Sequence, residues 1–80
     1  MTLLISLKNF ADLKNYANLL EKFSFSGYMR GQSFLVDASD ILAIFNHCPA
    51  ENMELILTEI TTEDCTALQK YLSDIGLLIP

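Results

Sequence analysis

The stretch that decides the fold is "LKNFADLKNYANLLEKF", Leu7 to Phe23. Its apolar residues recur at steps of three and four, which places them on one face of an α-helix. They are Phe10, Leu13, Tyr16, Ala17, Leu20 and Phe23. Asn9 precedes this pattern and can accept a hydrogen bond from a free N–H of the first turn, while Asp12 favours the positive end of the helix. The stretch therefore predicts a capped helix that buries one face.

The segments on either side predict four strands. The first, "TLLISL" from Thr2 to Leu7, is short and rich in aliphatic residues. After the helix, "EKFSFSGYM" and "QSFLVD" predict two extended segments around Arg30-Gly31, a pair that supplies the turn of a hairpin. In "NMELILTEI", apolar residues such as Leu55 and Leu57 alternate with other residues, the period of a strand with one buried face.

Two more helices complete the pattern. The segment "VDASDILAIFNHCP" offers Asp37 and Ser39 as caps and predicts a short helix from about Ser39 to Asn46. The segment "TTEDCTALQKYLSDIG" predicts a last helix, capped by Thr61 or Thr62 and ended by Gly76 at the C′ position. We expect the tail "LLIP" that follows to pack back onto the domain.

The element order β-α-β-β-α-β-α predicts an α+β open-faced sandwich over residues 1–80, as one domain. Four strands must bury one face, so we expect a mostly antiparallel sheet with all three helices on that face. The predicted core residues are Phe10, Leu13, Ala17, Leu20, Ile41, Leu55, Leu57, Leu68 and Leu72.

Composition argues against several classes of function. The net charge is −5 and the five basic residues are scattered, whereas nucleic acids and anionic membranes attract clustered basic faces. No apolar run could span a bilayer, and the N-terminus looks like a strand rather than a signal peptide, so we expect a cytoplasmic protein. Cys48 and Cys65 are expected to be reduced. His47-Cys48 has no second pair to complete a metal site, so we expect no cofactor.

The element order, together with "EKF" at Lys22–Phe23 and "FLVDASDILAIFNH" from Phe34 to His47, resembles HPr. HPr is the histidine-containing phosphocarrier of the bacterial sugar phosphotransferase system. The quoted residues are similar to the HPr segment that runs from the third strand through the middle helix. The resemblance implies an HPr-like fold and a role in bacterial sugar transport or its regulation.

In HPr, a His at the start of the first helix accepts phosphate, assisted by an Arg and followed by a Pro. An ungapped count back from Lys22–Phe23 places these residues on Asn9, Ala11 and Asp12. An amide has no basic nitrogen to phosphorylate, Ala11 has no guanidinium, and Asp12 adds negative charge where phosphate would sit. The chain therefore resembles an HPr that has lost phosphotransfer.

The middle helix has two further expected roles by resemblance. The regulatory Ser that some HPr proteins carry corresponds to Asp40, which either imitates a modified state or simply favours the helix dipole; Ser39 is an alternative phosphorylation site. HPr also meets its partners through this helix, which implies a docking surface at Leu42 and Phe45 beside Ile41. The alternative is that the tail "LLIP" buries this helix.

Three functions follow as hypotheses. The first is a regulatory or protein-binding module that acts as a monomer or weak dimer and binds a protein partner through the middle helix. The second is a phosphocarrier that uses a displaced histidine, His47. The third is a regulatory domain that senses a small molecule. No nucleophile elbow or phosphate-binding glycine loop is present in the sequence, so independent catalysis is not expected.

Overall fold

The structure, a computed structural model, describes residues 1–79. Its elements follow the predicted order. They are β1 (Thr2–Leu7), α1 (Phe10–Lys22), β2 (Ser26–Arg30), β3 (Leu35–Asp37), α2 (Ile41–Asn46), β4 (Ala50–Glu59) and α3 (Thr62–Asp74). The fold is the predicted βαββαβα open-faced sandwich.

The strands form one sheet in the order β1-β4-β2-β3, and every neighbouring pair is antiparallel. The last strand in the sequence thus lies between the first two. Leu55 of β4 faces Leu3 on one side and Met29 on the other. All three are buried, so this row forms the centre of the core.

The opposite face of the sheet is open. Leu4 and Tyr28 are on it, and each is 47% exposed. In the same row as Leu4, Arg30 binds Glu54 across the strands with both carboxylate oxygens 2.8 Å from Nη2. The pair is largely exposed, so its contribution to stability is small.

The core packs largely as predicted. Leu13, Leu55, Leu57, Leu68 and Leu72 are buried, whereas Ala17, Leu20 and Ile41 are only partly buried.

The predicted burial of Phe10 is wrong, because its side chain is 70% exposed. Phe10 is the first residue of α1, and its ring packs edge-on against Phe45 instead of entering the core. The buried face of α1 is formed by Leu13, Tyr16 and Leu19.

Tyr16 links α1 to the segment that precedes α2. Its side chain is fully buried, and its hydroxyl donates a hydrogen bond to the carbonyl oxygen of Ala38. Burial raises the pKa of Tyr16 well above its usual value, and the negative charge of Asp37 adds to the shift. The hydroxyl therefore stays protonated and holds the start of the α2 region against α1.

The start of α2 differs from the prediction. Neither Asp37 nor Ser39 caps it; Asp40 does, by accepting a hydrogen bond from the N–H of Ala43 at 3.2 Å. The carboxylate of Asp37 already accepts hydrogen bonds from the N–H and hydroxyl of Ser39, which also lowers the pKa of Asp37. The helix consequently begins at Ile41, two residues later than predicted.

The end of the chain behaves as the sequence predicts. Thr61 caps α3, and Gly76 has the positive φ of 78° expected at the C′ position. Leu77 is buried, and its carbonyl accepts a hydrogen bond from the N–H of Ser6, so the tail packs along the free edge of β1. Pro80, the last residue of the predicted tail, is outside the described residues. The alternative that the tail buries the middle helix is therefore wrong for Leu77 to Ile79.

Candidate functional site

The start of α1 is a purely local structure. The side-chain oxygen of Asn9 accepts a hydrogen bond from the N–H of Asp12 at 2.9 Å, and Asp12 accepts one from the N–H of Lys8 at 2.9 Å. This reciprocal arrangement satisfies backbone donors at the end of the helix. Asn9 is thus the helix cap, with its oxygen engaged in that role.

An apolar patch lies beside this helix start. Leu42 is 77% exposed and Phe45 is 49% exposed, and the exposed ring of Phe10 joins them. The rings of Phe10 and Phe45 meet edge to face, with centroids 6.4 Å apart and an interplanar angle of 86°. Large apolar side chains in contact on a surface commonly mark an interaction site.

Burial within α2 explains why these residues face outward. Ile44 is the one fully buried residue of α2, and Ile41 packs partly against the core. A helix of six residues can turn only one narrow face to the core, so Leu42 and Phe45 remain outside. The sequence predicted these two positions but missed Phe10. Phe10 directly follows the cap Asn9, and this position at the exposed end of the helix was the feature of the sequence that could have indicated its exposure.

The patch lines two adjoining cavities that share Phe10, Leu13 and Phe45. The α1–α2 groove has a volume of about 500 Å³. Its lining is completed by Lys14, Ala17, Ile41 and Leu42. The second, which we call the N-terminal cavity, has a volume of about 320 Å³. Its lining is completed by Lys8, Asn9, Cys48 and Pro49. The aromatic pair therefore stands between the two cavities.

The charge around the two cavities differs from that of the chain. The protein carries a net charge of −5, yet Lys8 lines one cavity, Lys14 lines the other, and no carboxylate lines either. Within residues 1–79 the only side-chain ion pair joins Arg30 to Glu54, so neither lysine forms an ion pair, although the carboxylate of Asp12 accepts a hydrogen bond from the backbone N–H of Lys8 at 2.9 Å. Each lining is mostly apolar and includes one lysine.

The remaining predicted site residues lie outside the linings of both cavities. Asp40 caps α2, and the exposed Ser39 donates its hydroxyl hydrogen bond to Asp37 at 2.7 Å. His47 is the C-cap residue of α2, and its ring stacks on that of Phe34 with centroids 4.2 Å apart. The structure thus gives each of these residues a local structural role.

No group of three or more His, Cys, Asp or Glu side chains in residues 1–79 is arranged to hold a metal ion. Both cysteines are free and partly buried, and burial raises the pKa of the Cys48 thiol. No helix in the described part of the chain is long and apolar enough to cross a membrane.

Comparisons of the chain with protein-family models, with curated proteins and with solved structures gave no match. What is established is a small α+β domain with a four-stranded antiparallel sheet and three helices, without an identified family. The resemblance to HPr accordingly rests on the element order and on the residues quoted above.

Proposed function

We propose that this protein is a protein-binding module, an HPr-like domain that has lost phosphotransfer and acts as a regulatory protein in the cytoplasm. The observation that carries the proposal is the exposed cluster of Phe10, Leu42 and Phe45. Its residues come from two helices and enclose apolar cavities, which suits a partner that brings its own apolar side chains. The resemblance adds that such a surface is the docking surface of HPr.

The capping geometry supports the loss of phosphotransfer. The residue aligned with the phosphorylated histidine is Asn9, and its side-chain oxygen is occupied by the N–H of Asp12. A phosphocarrier that uses His47 has weaker support, because His47 lies against Phe34 and outside the apolar cluster. A small-molecule sensor also has weaker support: the N-terminal cavity is of the size that binds small molecules, but of the polar side chains in its lining, Lys8, Asn9 and Cys48, Asn9 is already engaged as the helix cap.

The test is site-specific photocrosslinking in cells that naturally make the protein. A photoreactive amino acid replaces Leu42 on the proposed surface or, as the control, Leu4 on the open face of the sheet, which is also exposed. We expect a discrete crosslinked protein from position 42 and not from position 4. Adducts from both positions or from neither would refute the docking surface.

Phe45→Ala gives the energetic test with the crosslinked partner. A buried aromatic at an interface centre contributes about 2 kcal/mol or more, which corresponds to roughly thirtyfold in affinity. Because Phe45 is half-exposed in the free protein, the melting temperature should change little. A folded Phe45→Ala protein that binds as tightly as wild type would remove the cluster as the binding site.

Asp40→Ser tests the regulatory part of the proposal separately. Serine is also a good helix cap, so the start of α2 should persist while the fixed negative charge is removed. If Asp40 imitates a modified residue, partner affinity should change although stability does not. Unchanged affinity would leave Asp40 with its capping role alone.

A further inference from the structure

We infer that two copies of this protein pair through β3, antiparallel and centred on Leu35, so that their sheets join into one sheet with four strands from each copy. This inference does not depend on the proposed function. It is carried by the unpaired backbone of an apolar edge strand and by a register in which that strand is complementary to itself.

The two edges of the sheet differ in how they are covered. At the β1 edge, the N–H of Ser6 donates to the carbonyl of Leu77, and the N–H of Ile79 donates to the carbonyl of Leu4. At the other edge, no strand within residues 1–79 pairs with the outer side of β3. The tail therefore closes the β1 edge and leaves the β3 edge as the one that another strand can extend.

The ladder between β2 and β3 shows which backbone groups face outward. In an antiparallel ladder, hydrogen-bonded pairs alternate with pairs that are not hydrogen-bonded. The N–H of Gly31 donates to the carbonyl of Phe34 at 3.0 Å, so Phe34 and Val36 direct their backbone groups towards β2. Leu35 lies between them and directs its N–H and C=O to the open edge. Outside the ladder, the backbone of Leu35 forms no hydrogen bond within residues 1–79.

This edge lacks most of the features that keep strand edges apart. Natural sheets block their edges with lysines, prolines, bulges or very short strands. The segment from Gly31 to Val36 contains no charged residue and no proline, the ladder has no bulge, and the side chain of Leu35 is 60% exposed. The strand is short, with three residues, so the paired area is below the roughly 1,200 Å² of a stable interface. We therefore expect a weak dimer.

The free backbone groups set the register of the pairing. If the two strands are centred on Leu35, its N–H and C=O bond the C=O and N–H of Leu35 in the second copy, which forms two hydrogen bonds. A register centred on Val36 would instead pair Leu35 with Asp37. The carbonyl of Asp37 already accepts a hydrogen bond from the N–H of Asp40 at 3.1 Å, so that register satisfies fewer groups.

The side chains are complementary in the same register. On the open face, Leu35 lies opposite Leu35 of the second copy, and on the helical face Phe34 lies opposite Val36. Phe34 and Val36 both pack partly against the core, so they extend it across the joined strands. Asp37 lies opposite the uncharged Ser33, so no like charges meet although each copy carries a net charge of −5.

The pairing has a consequence for the proposed function, which this paragraph alone assumes. Because the two sheets are continuous, the helices of both copies lie on the same side. The exposed cluster of Phe10, Leu42 and Phe45 is then presented twice on one face. A partner with two binding segments would gain avidity from such a dimer without any new contact.

Sedimentation equilibrium of the full-length protein from about 10 µM to about 1 mM measures the dimer. We expect the apparent mass to rise from one chain towards two. Leu35→Pro removes the N–H that bonds the second copy, and a proline is tolerated on an edge strand where the N–H faces outward. With two hydrogen bonds lost per dimer, association should weaken at least about tenfold, while urea unfolding still shows a folded protein.

Charge exchange at position 35 tests the register. Like charges directly opposite on neighbouring strands repel and opposite charges attract, so Leu35→Lys and Leu35→Glu should each be monomeric alone. An equal mixture of the two should dimerise, because lysine then lies opposite glutamate. The matched controls are Leu4→Lys and Leu4→Glu, at an exposed leucine of β1 on the far side of the sheet, which should associate as wild type does.

A wild-type protein that stays monomeric at 1 mM, or a folded Leu35→Pro protein that associates as wild type does, would overturn the inference. If Leu35→Pro does not fold, the charge exchange decides: a mixture that remains monomeric contradicts pairing centred on Leu35. Association lost in the Leu4 variants would place the contact on the open face and likewise refute β3. None of these outcomes bears on the proposed function, which the crosslinking at Leu42 tests separately.

Discussion

The buried hydroxyl of Tyr16 offers a sharp test of how the site is held together. Tyr16→Phe removes one oxygen from the core and preserves the ring that fills it. The hydroxyl is the donor to the carbonyl of Ala38, which is itself 1% exposed and immediately precedes the turn into α2. The substitution therefore isolates the link between α1 and the segment that positions the apolar cluster.

The expected cost follows from this geometry. A neutral hydrogen bond contributes about 1 kcal/mol net, and a buried acceptor left without a partner costs about 1–3 kcal/mol. Within residues 1–79 the carbonyl of Ala38 has no other hydrogen bond outside the strands and helices, so we expect a loss of about 2 kcal/mol. For a domain of this size, that lowers the melting temperature by about 10 °C.

The same link predicts a dependence on pH. The pKa of Tyr16 is raised in the folded protein, whereas the unfolded tyrosine ionises near pH 10. Above about pH 10 the unfolded state therefore releases a proton that the folded state retains, and wild type loses about 1.4 kcal/mol per pH unit from this group. The Tyr16→Phe protein has no hydroxyl to ionise and does not lose stability in this way. The difference in unfolding free energy between wild type and Tyr16→Phe should therefore be largest below pH 10 and should shrink as pH rises.

Urea unfolding at neutral pH and at pH 11 measures both effects, with Tyr28→Phe as the matched control. Tyr28 is 47% exposed on the open face of the sheet, so losing its hydroxyl should change stability by less than about 0.5 kcal/mol. A cost for Tyr16→Phe no larger than that of the control, or one that grows with pH, would refute the structural role assigned to this hydroxyl.

Three further predictions concern the core, the sheet and the chemistry. Leu68→Ala should lower the free energy of unfolding by about 2–5 kcal/mol in urea titration because Leu68 is fully buried; a change under about 1 kcal/mol would contradict its place in the core. Gly27→Ala should cost about 1–3 kcal/mol by the same assay, since an added Cβ would collide with the backbone carbonyl oxygen of Ile56 across the strands; an unchanged midpoint would argue against this close approach. When the protein is incubated with radiolabelled phosphoenolpyruvate and the general phosphotransferase enzymes, we expect no labelled phosphate on the protein. Labelling that disappears in His47→Ala would instead favour a phosphocarrier that uses His47.

Local chemistry decided most of the secondary structure, and the sequence was sufficient to predict the order of the elements. Caps and turn residues act within a few positions of the chain, so Asn9 and Gly76 could be assigned correctly, and the cap of α3 could be narrowed to Thr61 or Thr62, before any tertiary contact was considered. The periodicity of the strands likewise identified which residues of β4 enter the core. Because capping is local, the sequence also predicted that Asn9 caps the helix and lacks the basic nitrogen of a phosphorylated histidine.

Competition between neighbouring groups was harder to read from the sequence. Asp37, Ser39 and Asp40 can all cap a helix, and the structure selects Asp40 because Asp37 is engaged with Ser39. In α1, Leu19 is fully buried and Leu20 is only partly buried, because the rotation of a helix about its axis is set by what it packs against.

The site itself depended on the tertiary structure. From the sequence alone, Leu42 and Phe45 could be predicted as a surface or as core covered by the tail, because both arrangements satisfy the same helical pattern. Pairing of the tail with β1, at Ser6 and Leu77, leaves α2 uncovered and allows Phe10 to meet Phe45. Contacts between residues far apart in the chain decide exposure, so the sequence determined which residues are apolar, and only the packing decided which of them remain available to a partner.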